Sequence, residues 1–457
     1  KKWQQDKYLE FPMSKDLAQA LHQTVQSYIH RTPKSQAAIL SAAEVMPAGN
    51  TRSVLHFGPY PLVFETASDS RLVDIDGHIY RDFLNDYSAG LYGHSQAPIQ
   101  KAIIEAMGKG LGFGGVNQFE APFARLMVER FPALEKVRFT NSGTEANIMA
   151  LATARVATGR DKILVMTGAY HANCMHLSSE ETRLNAPYDF VYGRYNELAK
   201  TEQAVKDCGG ELAAILVETM MAAGGCIPAD KSFLQGLRDL ADRTGAILIF
   251  DEVMTSRFGP AGGQGEYGIT PDMMSCGKYL GGGASFGAFG GRADLMSIYD
   301  ANRTDAVMHG GTFNNNVISM AAGLTGLRDI YTPKVAAEFL VTGNRFRDEL
   351  NAIAQEKGIA VQVVGVGSLM NLHFHNQPVR TPEQMKLSNP EAKALFHMAM
   401  LERGIYLASR GYIALSIVQT EDDFAAFKVA FADVLDTYGA LFNAAAEVSA
   451  LPEMETV

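Results

Sequence analysis

The sequence is poor in cysteine. Four cysteines occur among 457 residues, and no two of them form a CxxC pair. Disulfide frameworks and most zinc sites need paired or clustered cysteines, so the low count favours a reducing, cytoplasmic location over a secreted, disulfide-stabilised protein. The segment HANCMH at residues 171–176 contains histidine and cysteine. Its spacing matches no standard zinc site, and we therefore expect no bound metal.

Basic charge and long apolar runs are also scarce. The 40 lysines and arginines are outnumbered by 50 aspartates and glutamates, which leaves a formal net charge of −10. Nucleic acids and anionic membranes attract clustered positive charge, so neither is an expected partner. No apolar run approaches the roughly 20 residues that a membrane-spanning helix needs. An anionic ligand of this protein must therefore be held by local arginines or backbone amides.

Alternation of helical and apolar segments is the main positive signal. From about residue 100 the chain alternates helical patterns with short apolar strands such as KILVM and AAILVE. This order predicts an α/β protein whose mostly parallel sheet is covered by helices on both faces. We expect a large domain at residues 86–334 and a smaller α+β domain at residues 335–457, to which the N-terminal segment 1–85 contributes. Ligands of such sheets bind at the carboxyl ends of the strands.

The segment FTNSGTEANIMAL predicts a strand that leads directly into a capped helix. Ser142 and Glu145 are spaced as a capping box, and Gly143 permits a ligand to approach the backbone closely. The free amides at such a helix start favour a phosphate group. A well-capped helix without any ligand has the same pattern, so the motif by itself leaves both interpretations open.

Two apolar strands end in carboxylates. The strand AILIFDE ends in Asp251 and Glu252, and the strand AAILVE ends in Glu218. A buried carboxylate is unfavourable unless it meets a cation. The partner of Asp251 is therefore either a structural arginine such as Arg257 or the protonated ring nitrogen of a cofactor.

Lys278 lies in the glycine-rich segment MSCGKYLGGGASFGAFGG, and we interpret these glycines as room for a flat ligand. A phosphate-binding helix start, an acid at a strand end and a lysine are the three contacts that pyridoxal 5′-phosphate requires. The lysine forms a Schiff base, and the acid keeps the pyridine nitrogen protonated so that the ring accepts electrons. Tyr170 also follows a predicted strand, where it is either a stacking residue or an ordinary core tyrosine.

Five motifs occur in an order typical of one family: TNSGTEAN, GAYH, FDEVMTSR, CGKYLGGG and HGGTFNNN. Together they resemble the signature series of class III, fold-type I pyridoxal-phosphate aminotransferases, a group that includes glutamate-1-semialdehyde aminomutases. The resemblance extends from about residue 40 to residue 440. It implies an α/β fold with a mostly parallel, seven-stranded sheet in the large domain, a smaller α+β domain, and transaminase activity.

The resemblance also implies a role for individual residues. Lys278 is expected to be the Schiff-base lysine and Asp251 the partner of the ring nitrogen. Further cofactor contacts are expected from Ser142, Gly143 and Thr144 at the phosphate, from Tyr170 and Val253 on the ring faces, and from His171 and Glu218. Thr312 is expected to reach the phosphate of the neighbouring subunit, which implies a homodimer with shared active sites. Ala172 and Thr219 depart from the glycine and proline that the family often has there.

Two arginines are candidates for binding substrate carboxylates. Arg52 lies in NTRSVLHFGPYPL, and Arg410 lies in LASRGYIALS. An ordinary surface position is an equally good interpretation of either arginine. Arginine is nevertheless well suited to a substrate acid, because its guanidinium binds a carboxylate through two parallel hydrogen bonds. Both segments resemble those of β-amino-acid aminotransferases, notably enzymes acting on β-phenylalanine. This resemblance implies a β-amino acid donor, a 2-oxo acid acceptor such as 2-oxoglutarate or pyruvate, and a ping-pong mechanism.

Three alternatives remain open at this point. An aminomutase would return the amine to the same carbon skeleton and would need no external 2-oxo acid. A broad amine transaminase would accept amines that lack a carboxylate. A protein that binds the cofactor without catalysis is disfavoured by the complete set of lysine, acid and phosphate motif.

Overall fold

The computed structural model describes residues 14–171, 183, 185–209 and 211–448. No helix within these residues is long and apolar enough to cross a membrane. The α-helices of the described chain are α1 (Lys15–Arg31), α2 (Pro33–Ala42), α3 (Ala97–Met107), α4 (Glu120–Arg130), α5 (Gly143–Thr158), α6 (Leu198–Asp207), α7 (Lys231–Thr244), α8 (Gly262–Tyr267), α9 (Ala293–Met296), α10 (Val317–Thr325), α11 (Pro333–Glu356), α12 (Pro382–Met385), α13 (Pro390–Glu402) and α14 (Glu421–Val448).

The strands of the same residues form four separate sheets. They are β1 (Phe64–Ser68), β2 (Arg71–Asp74), β3 (Ile79–Asp82), β4 (Lys136–Thr140), β5 (Lys162–Met166), β6 (Phe190–Gly193), β7 (Leu212–Glu218), β8 (Met220–Met221), β9 (Ile227–Pro228), β10 (Ile247–Asp251), β11 (Met273–Gly277), β12 (Gly287–Gly291), β13 (Gln362–Val366), β14 (Leu369–His373), β15 (Ile405–Tyr406) and β16 (Tyr412–Ala414).

The largest sheet has seven strands in the order β4-β12-β11-β10-β7-β5-β6. The pairs from β11 to β6 are parallel, whereas β12 runs antiparallel to both of its neighbours, β11 and β4. This confirms the predicted α/β fold with a mostly parallel, seven-stranded sheet. Because β12 reverses direction between β11 and β4, the carboxyl ends of β4, β11, β10 and β7 all lie at one edge.

The central strands are buried because both faces of the sheet are covered. Along β10, Ile249 belongs to the core on one face together with Leu216, while Leu248 and Phe250 belong to the core on the other face. Successive side chains of a strand point to opposite faces, so a strand covered on both sides reads as the continuous apolar run seen in the sequence. A carboxylate at the end of such a run is held at the rim of the sheet.

The N-terminal segment joins the C-terminal part of the chain. A four-stranded sheet has the order β1-β2-β3-β15, and β15 pairs in parallel with β3, which places Ile405 opposite Arg81. A three-stranded sheet of β13, β14 and β16 completes this region. The N-terminal strands thus pair with a strand of the C-terminal part of the chain. The division into domains, with boundaries at residues 85 and 334, stays a prediction.

Candidate active site

Lys278 follows β11 directly, at the edge where the parallel strands end. Its φ is +54°, and its Nζ donates a hydrogen bond to the main-chain oxygen of Tyr87 at 2.8 Å. Burial lowers the pKa of the Lys278 amine from 10.5 to about 8; the carboxylate of Asp86 opposes this shift, and the charge of Arg52 adds to it. A lysine amine with such a pKa is a good base near neutral pH.

Two of the glycines after Lys278 allow close packing within the protein, whereas Gly283 has open space beside it. A Cβ at Gly281 would come within 2.5 Å of the Phe286 Cβ, and one at Gly282 within 2.6 Å of the main chain of Ala322. Gly277 lies next to the start of α5, since its Cβ would meet the amide nitrogen of Gly143 at 3.3 Å. Our interpretation of the glycines as room for a ligand is therefore wrong for Gly281 and Gly282.

Asp251 ends β10 and is buried. Its Oδ2 accepts a hydrogen bond from Asn147 Nδ2 at 2.8 Å and lies 3.0 Å from Nδ1 of His171. Its Oδ1 accepts from the amide of Val253 at 3.0 Å. No arginine or lysine in the described part of the chain forms an ion pair with Asp251.

An ion pair between Asp251 and Arg257 is not formed, because the Arg257 side chain contacts other groups. Its guanidinium is buried, donates to the main-chain oxygens of Ser88 and Leu415, and lies over the ring of Phe339. The neighbouring Glu252 is also structural, since it accepts hydrogen bonds from the amides of residues 263 and 264 at the start of α8. Of the two consecutive acids, Asp251 is therefore the candidate for a ligand contact.

Glu218 ends β7 directly beside Asp251 in the sheet. Burial raises the pKa of Glu218 well above its ordinary value, and the charge of Asp251 raises it further. Two buried carboxyls this close do not both ionise readily. Glu218 Oε1 accepts from the amide of Ala222 at 3.1 Å and Oε2 from the amide of Tyr170 at 3.4 Å. These hydrogen bonds are local to the end of β7, and the expected contact of Glu218 with the cofactor stays a prediction.

The helix start at Ser142 forms as predicted, except that the Glu145 side chain bonds to the amide of Asn141 and not to that of Ser142. Ser142 is the N-cap of α5, and its Oγ accepts from the amide of Glu145 at 3.2 Å. The Glu145 carboxylate accepts from the amide of Asn141, one residue before the cap. A Cβ at Gly143 would come within 2.6 Å of Val253 Cγ2, so the glycine brings Val253 against this helix start. The amides of the first turn, which includes Thr144, have no partner within the helix.

Asn147 and Ser275 are site residues that sequence reasoning missed. Ser275 Oγ donates to Asn147 Oδ1, and Asn147 Nδ2 donates both to Asp251 and to the main-chain oxygen of His171. Asn147 lies on the buried face of α5 beside Ala146, Ala150 and other apolar residues. A polar residue at a core position of a helix was the available signal, because a buried amide needs hydrogen-bond partners.

Tyr170, His171 and Thr312 differ in their surroundings. His171 is buried against Asp251, whereas Tyr170 is 43% exposed. Thr312 is exposed as well, on a segment whose Asn314 Oδ1 accepts from Asn141 Nδ2 at 2.9 Å beside the start of α5. Most of HANCMH lies outside the described residues, and no cluster of three potential metal ligands occurs within them.

Arg52 and Arg410 meet at Tyr87 although they are far apart in sequence. The guanidinium carbon of each lies 5.6 Å from the centroid of the Tyr87 ring. Arg52 also forms an ion pair with Asp86 at 2.6 Å, whereas Arg410 forms none with any described residue. Two arginines thus lie beside the residue whose carbonyl holds the Lys278 amine.

Comparisons with known proteins identify the family of this chain. The family Aminotransferase class-III matches residues 56–421. A β-phenylalanine transaminase of Variovorax paradoxus is 43% identical over 423 residues, which cover 93% of this chain and 97% of that protein. The crystal structure of a β-phenylalanine aminotransferase from the same organism has a TM-score of 0.91 and covers 93% of this chain and 99% of its own.

Two further solved structures are similar over most of the chain. An omega-transaminase from Sphaerobacter thermophilus is 34% identical with a TM-score of 0.85, covering 89% of this chain and 99% of its own. A transaminase with PLP bound is 31% identical with a TM-score of 0.82, covering 90% and 98%. This chain therefore belongs to the class III aminotransferases, which are pyridoxal-phosphate-dependent enzymes.

Proposed function

We propose that this enzyme transfers the amino group of a β-amino acid to a 2-oxo acid. An aromatic donor such as β-phenylalanine and an acceptor such as 2-oxoglutarate or pyruvate fit best. The observation that carries the proposal is the position of Arg52 and Arg410 around Tyr87, whose carbonyl binds the Lys278 amine. Arginine binds carboxylates with two parallel hydrogen bonds, so a substrate acid would be held within reach of the reacting amine. The 43% identity to a β-phenylalanine transaminase supports the same donor class.

The residues at the sheet edge fit pyridoxal 5′-phosphate. Asp251 is a buried carboxylate whose described partners include no arginine or lysine, which suits a protonated ring nitrogen. Ser142, Gly143 and Thr144 at the start of α5 would hold the phosphate, and Val253 and Tyr170 would flank the ring. When bound, the cofactor supplies an electron sink for the carbanion that forms at the substrate carbon.

Lys278 would first hold the cofactor covalently and then act on the substrate. Because burial lowers the pKa of its amine to about 8, the released amine is able to take a proton from the substrate carbon near neutral pH and return it as an acid. Asn147 and His171 would keep Asp251 oriented during this transfer through their contacts with its Oδ2.

The same arginines would serve both halves of a ping-pong reaction. The donor and the acceptor each carry a carboxylate, and they occupy the site one after the other. Arg52 and Arg410 therefore bind the β-amino acid first and the 2-oxo acid second. In an acidic protein with a net charge of −10, this local positive charge offsets an overall field that repels anions.

A homodimer with shared active sites is part of the proposal. Exposed apolar side chains lie on the segment of Thr312 and on the segment 111–116, and large exposed apolar patches mark interaction surfaces. They are Leu111, Phe113, Val116, Met308 and Phe313. The two segments that carry them are joined by Asn315, whose Nδ2 donates to the Gly115 main-chain oxygen at 3.1 Å. In a dimer formed through this surface, Thr312 of one copy would lie near the proposed phosphate site of the other copy. A cytoplasmic location is proposed as well, from the low cysteine count.

A donor panel tests the proposal. The purified enzyme would be mixed with β- and α-amino acids, with and without 2-oxoglutarate or pyruvate, while the cofactor absorbance is followed. We expect β-phenylalanine to convert the cofactor to its amino form, and Arg52→Gln and Arg410→Gln to weaken this donor. Conversion by no β-amino acid would disprove the substrate class, and turnover by Lys278→Ala would disprove the role of the lysine.

The same panel separates the alternatives. An aminomutase would form product without any external 2-oxo acid. A broad amine transaminase would use an amine without a carboxylate and would keep that activity in both arginine variants.

A further inference from the structure

Tyr87 contacts the lysine and both arginines of the active site. Its main-chain oxygen accepts the hydrogen bond from Lys278 Nζ at 2.8 Å. Its ring centroid lies 5.6 Å from the guanidinium carbons of both Arg52 and Arg410. A guanidinium within about 6 Å of an aromatic face is attracted by the quadrupole of the ring. Groups from three distant parts of the sequence therefore meet at one tyrosine.

The ring of Tyr87 is fixed by its own contacts. It is 7% exposed and stacks on Tyr412 with 5.9 Å between the ring centroids and 11° between the ring planes. Its hydroxyl donates to the main-chain oxygen of Val54 at 2.7 Å. The surface on which the two guanidiniums rest is thus in place before any substrate arrives, and preorganised groups bind at a lower entropic cost.

The backbone that carries Tyr87 is strained and firmly anchored. The four residues from Asn85 to Ser88 have φ values of 44°, 46°, 51° and 79°, a region that residues other than glycine rarely occupy. Asn85 Nδ2 donates to the main-chain oxygen of Ala414 at 2.7 Å, and Arg257 Nη1 donates to that of Ser88 at 3.1 Å. Such conformations persist where the surroundings enforce them, and they cluster at functional sites. The anchored turn keeps the Tyr87 carbonyl towards Lys278 and its ring towards the arginines.

The contact with the ring leaves the arginines able to bind an acid. A guanidinium that lies over an aromatic ring uses its flat face, and its N–H groups at the edge stay available for a carboxylate. Asp86 already occupies Nη1 of Arg52. Both side chains of this pair are about half exposed, at 44% and 54%, and exposed ion pairs are weak. A substrate carboxylate is therefore able to compete with Asp86.

We propose that Tyr87 is a specificity-determining residue that positions Arg52 and Arg410 for the substrate carboxylate, at a fixed distance from the Lys278 amine. Tyr87 acts through the two arginines and sets the preference of the enzyme for acids over neutral analogues of the same shape. The inference rests on the proposed function, because it assumes that these arginines bind the substrate acid.

Two substitutions separate the ring from the rest of the residue. Tyr87→Leu removes the aromatic face but keeps an apolar side chain and the main-chain oxygen, whereas Tyr87→Phe keeps the face and loses only the hydroxyl. Calorimetry on the holoenzymes would give dissociation constants for 3-phenylpropanoate and for its neutral analogue 3-phenylpropanamide. We expect Tyr87→Leu to weaken binding of the acid about tenfold and binding of the amide less than about twofold, and Tyr87→Phe to stay within about threefold of wild type for both ligands.

Unchanged binding of the acid by Tyr87→Leu would overturn the proposal. Equal weakening of acid and amide would also overturn it, because a merely structural role affects both ligands alike. The absorbance of the bound cofactor checks that each variant keeps its fold.

Binding of 2-oxoglutarate and pyruvate separates a failure of Tyr87 from a failure of the proposed donor. If the wild type binds a 2-oxo acid but not 3-phenylpropanoate, the proposal of an aromatic donor is wrong. In that case, binding of the 2-oxo acid by Tyr87→Leu and by Tyr87→Phe still decides the role of Tyr87. A wild type that binds none of these acids would overturn both proposals.

Discussion

The protonation of the Lys278 amine is open to direct measurement. Burial lowers its pKa from 10.5 to about 8. At pH 7, about one amine in ten is then neutral, compared with about one in 3000 for an amine with the ordinary value. Only the neutral amine attacks a carbonyl or accepts a proton. The buried position therefore raises the concentration of the reactive form about 300-fold at pH 7.

Competitive acetylation of the apoprotein measures this pKa without the cofactor. A limiting amount of acetic anhydride would be added at a series of pH values, and mass spectrometry would quantify modification of the peptide that contains Lys278. We expect reactivity to rise about tenfold per pH unit up to about pH 8 and then to level off. The exposed Lys101 in the same digest provides an internal reference, since its side chain is 77% accessible.

Two variants test the electrostatic cause of the shift. The Asp86 carboxylate raises the pKa of Lys278, and the Arg52 guanidinium lowers it. Asp86→Asn should therefore move the midpoint to lower pH, and Arg52→Gln should move it to higher pH. Each substitution also breaks the Arg52–Asp86 ion pair, and the charge left behind shifts the pKa in the same direction. A midpoint above pH 10, or shifts opposite in sign, would refute this account of the lysine.

Three further predictions concern the support of the site. Asn147→Ala removes the acceptor of the Ser275 hydroxyl and a donor to Asp251. Buried groups that lose their partner cost about 1–3 kcal/mol each, so urea denaturation should show a free energy of unfolding lowered by about 2–6 kcal/mol. An unchanged value would contradict the network. Because burial and the Asp251 charge raise the pKa of Glu218, the folded wild type keeps a proton that the unfolded chain releases above about pH 4.3. The stability of the wild type should therefore fall as the pH rises from about 4.3 through the pKa of Glu218 in the folded protein. Glu218→Gln cannot titrate at this position, so its Tm should increase relative to that of the wild type between pH 5 and pH 8. A Tm difference that does not change with pH would argue against a neutral Glu218. Phe313→Asp should weaken the proposed dimer in sedimentation velocity, and an unaffected dimer would place the interface elsewhere.

The residues at the strand ends were predictable because local pattern and sheet topology act together. The strand β11 before Lys278 was not predicted from its glycine-rich sequence. Asp251 and Glu218, in contrast, each end an apolar run that is buried on both faces, and Ser142 follows the strand β4. Strands with a shared direction end at the same edge, so these residues had to meet once the alternation of helices and strands was recognised. The roles assigned to them come from the family resemblance and stay predictions.

Other contacts had no local signal. From the sequence alone, Arg257 was a possible partner of Asp251. In the structure, the Arg257 guanidinium instead lies over Phe339 and donates hydrogen bonds to the carbonyls of Ser88 and Leu415. The glycines after Lys278 resembled a ligand cavity, whereas side chains and backbone that are distant in sequence fill the space beside two of them.

The sequence by itself determined an acid, Asp251, and a capped helix start at Ser142 at the ends of buried strands, and it placed Lys278 in a glycine-rich segment. The tertiary structure alone decided how a substrate acid would be placed against them. Arg52, Tyr87 and Arg410 lie together where residues 85–88 have a left-handed backbone conformation, which is held by a hydrogen bond from Asn85 to the Ala414 carbonyl and one from Arg257 to the Ser88 carbonyl. Asn85 and Asp86 tolerate this conformation better than most residues, but Tyr87 and Ser88 do not favour it, so long-range contacts are needed to hold the whole turn.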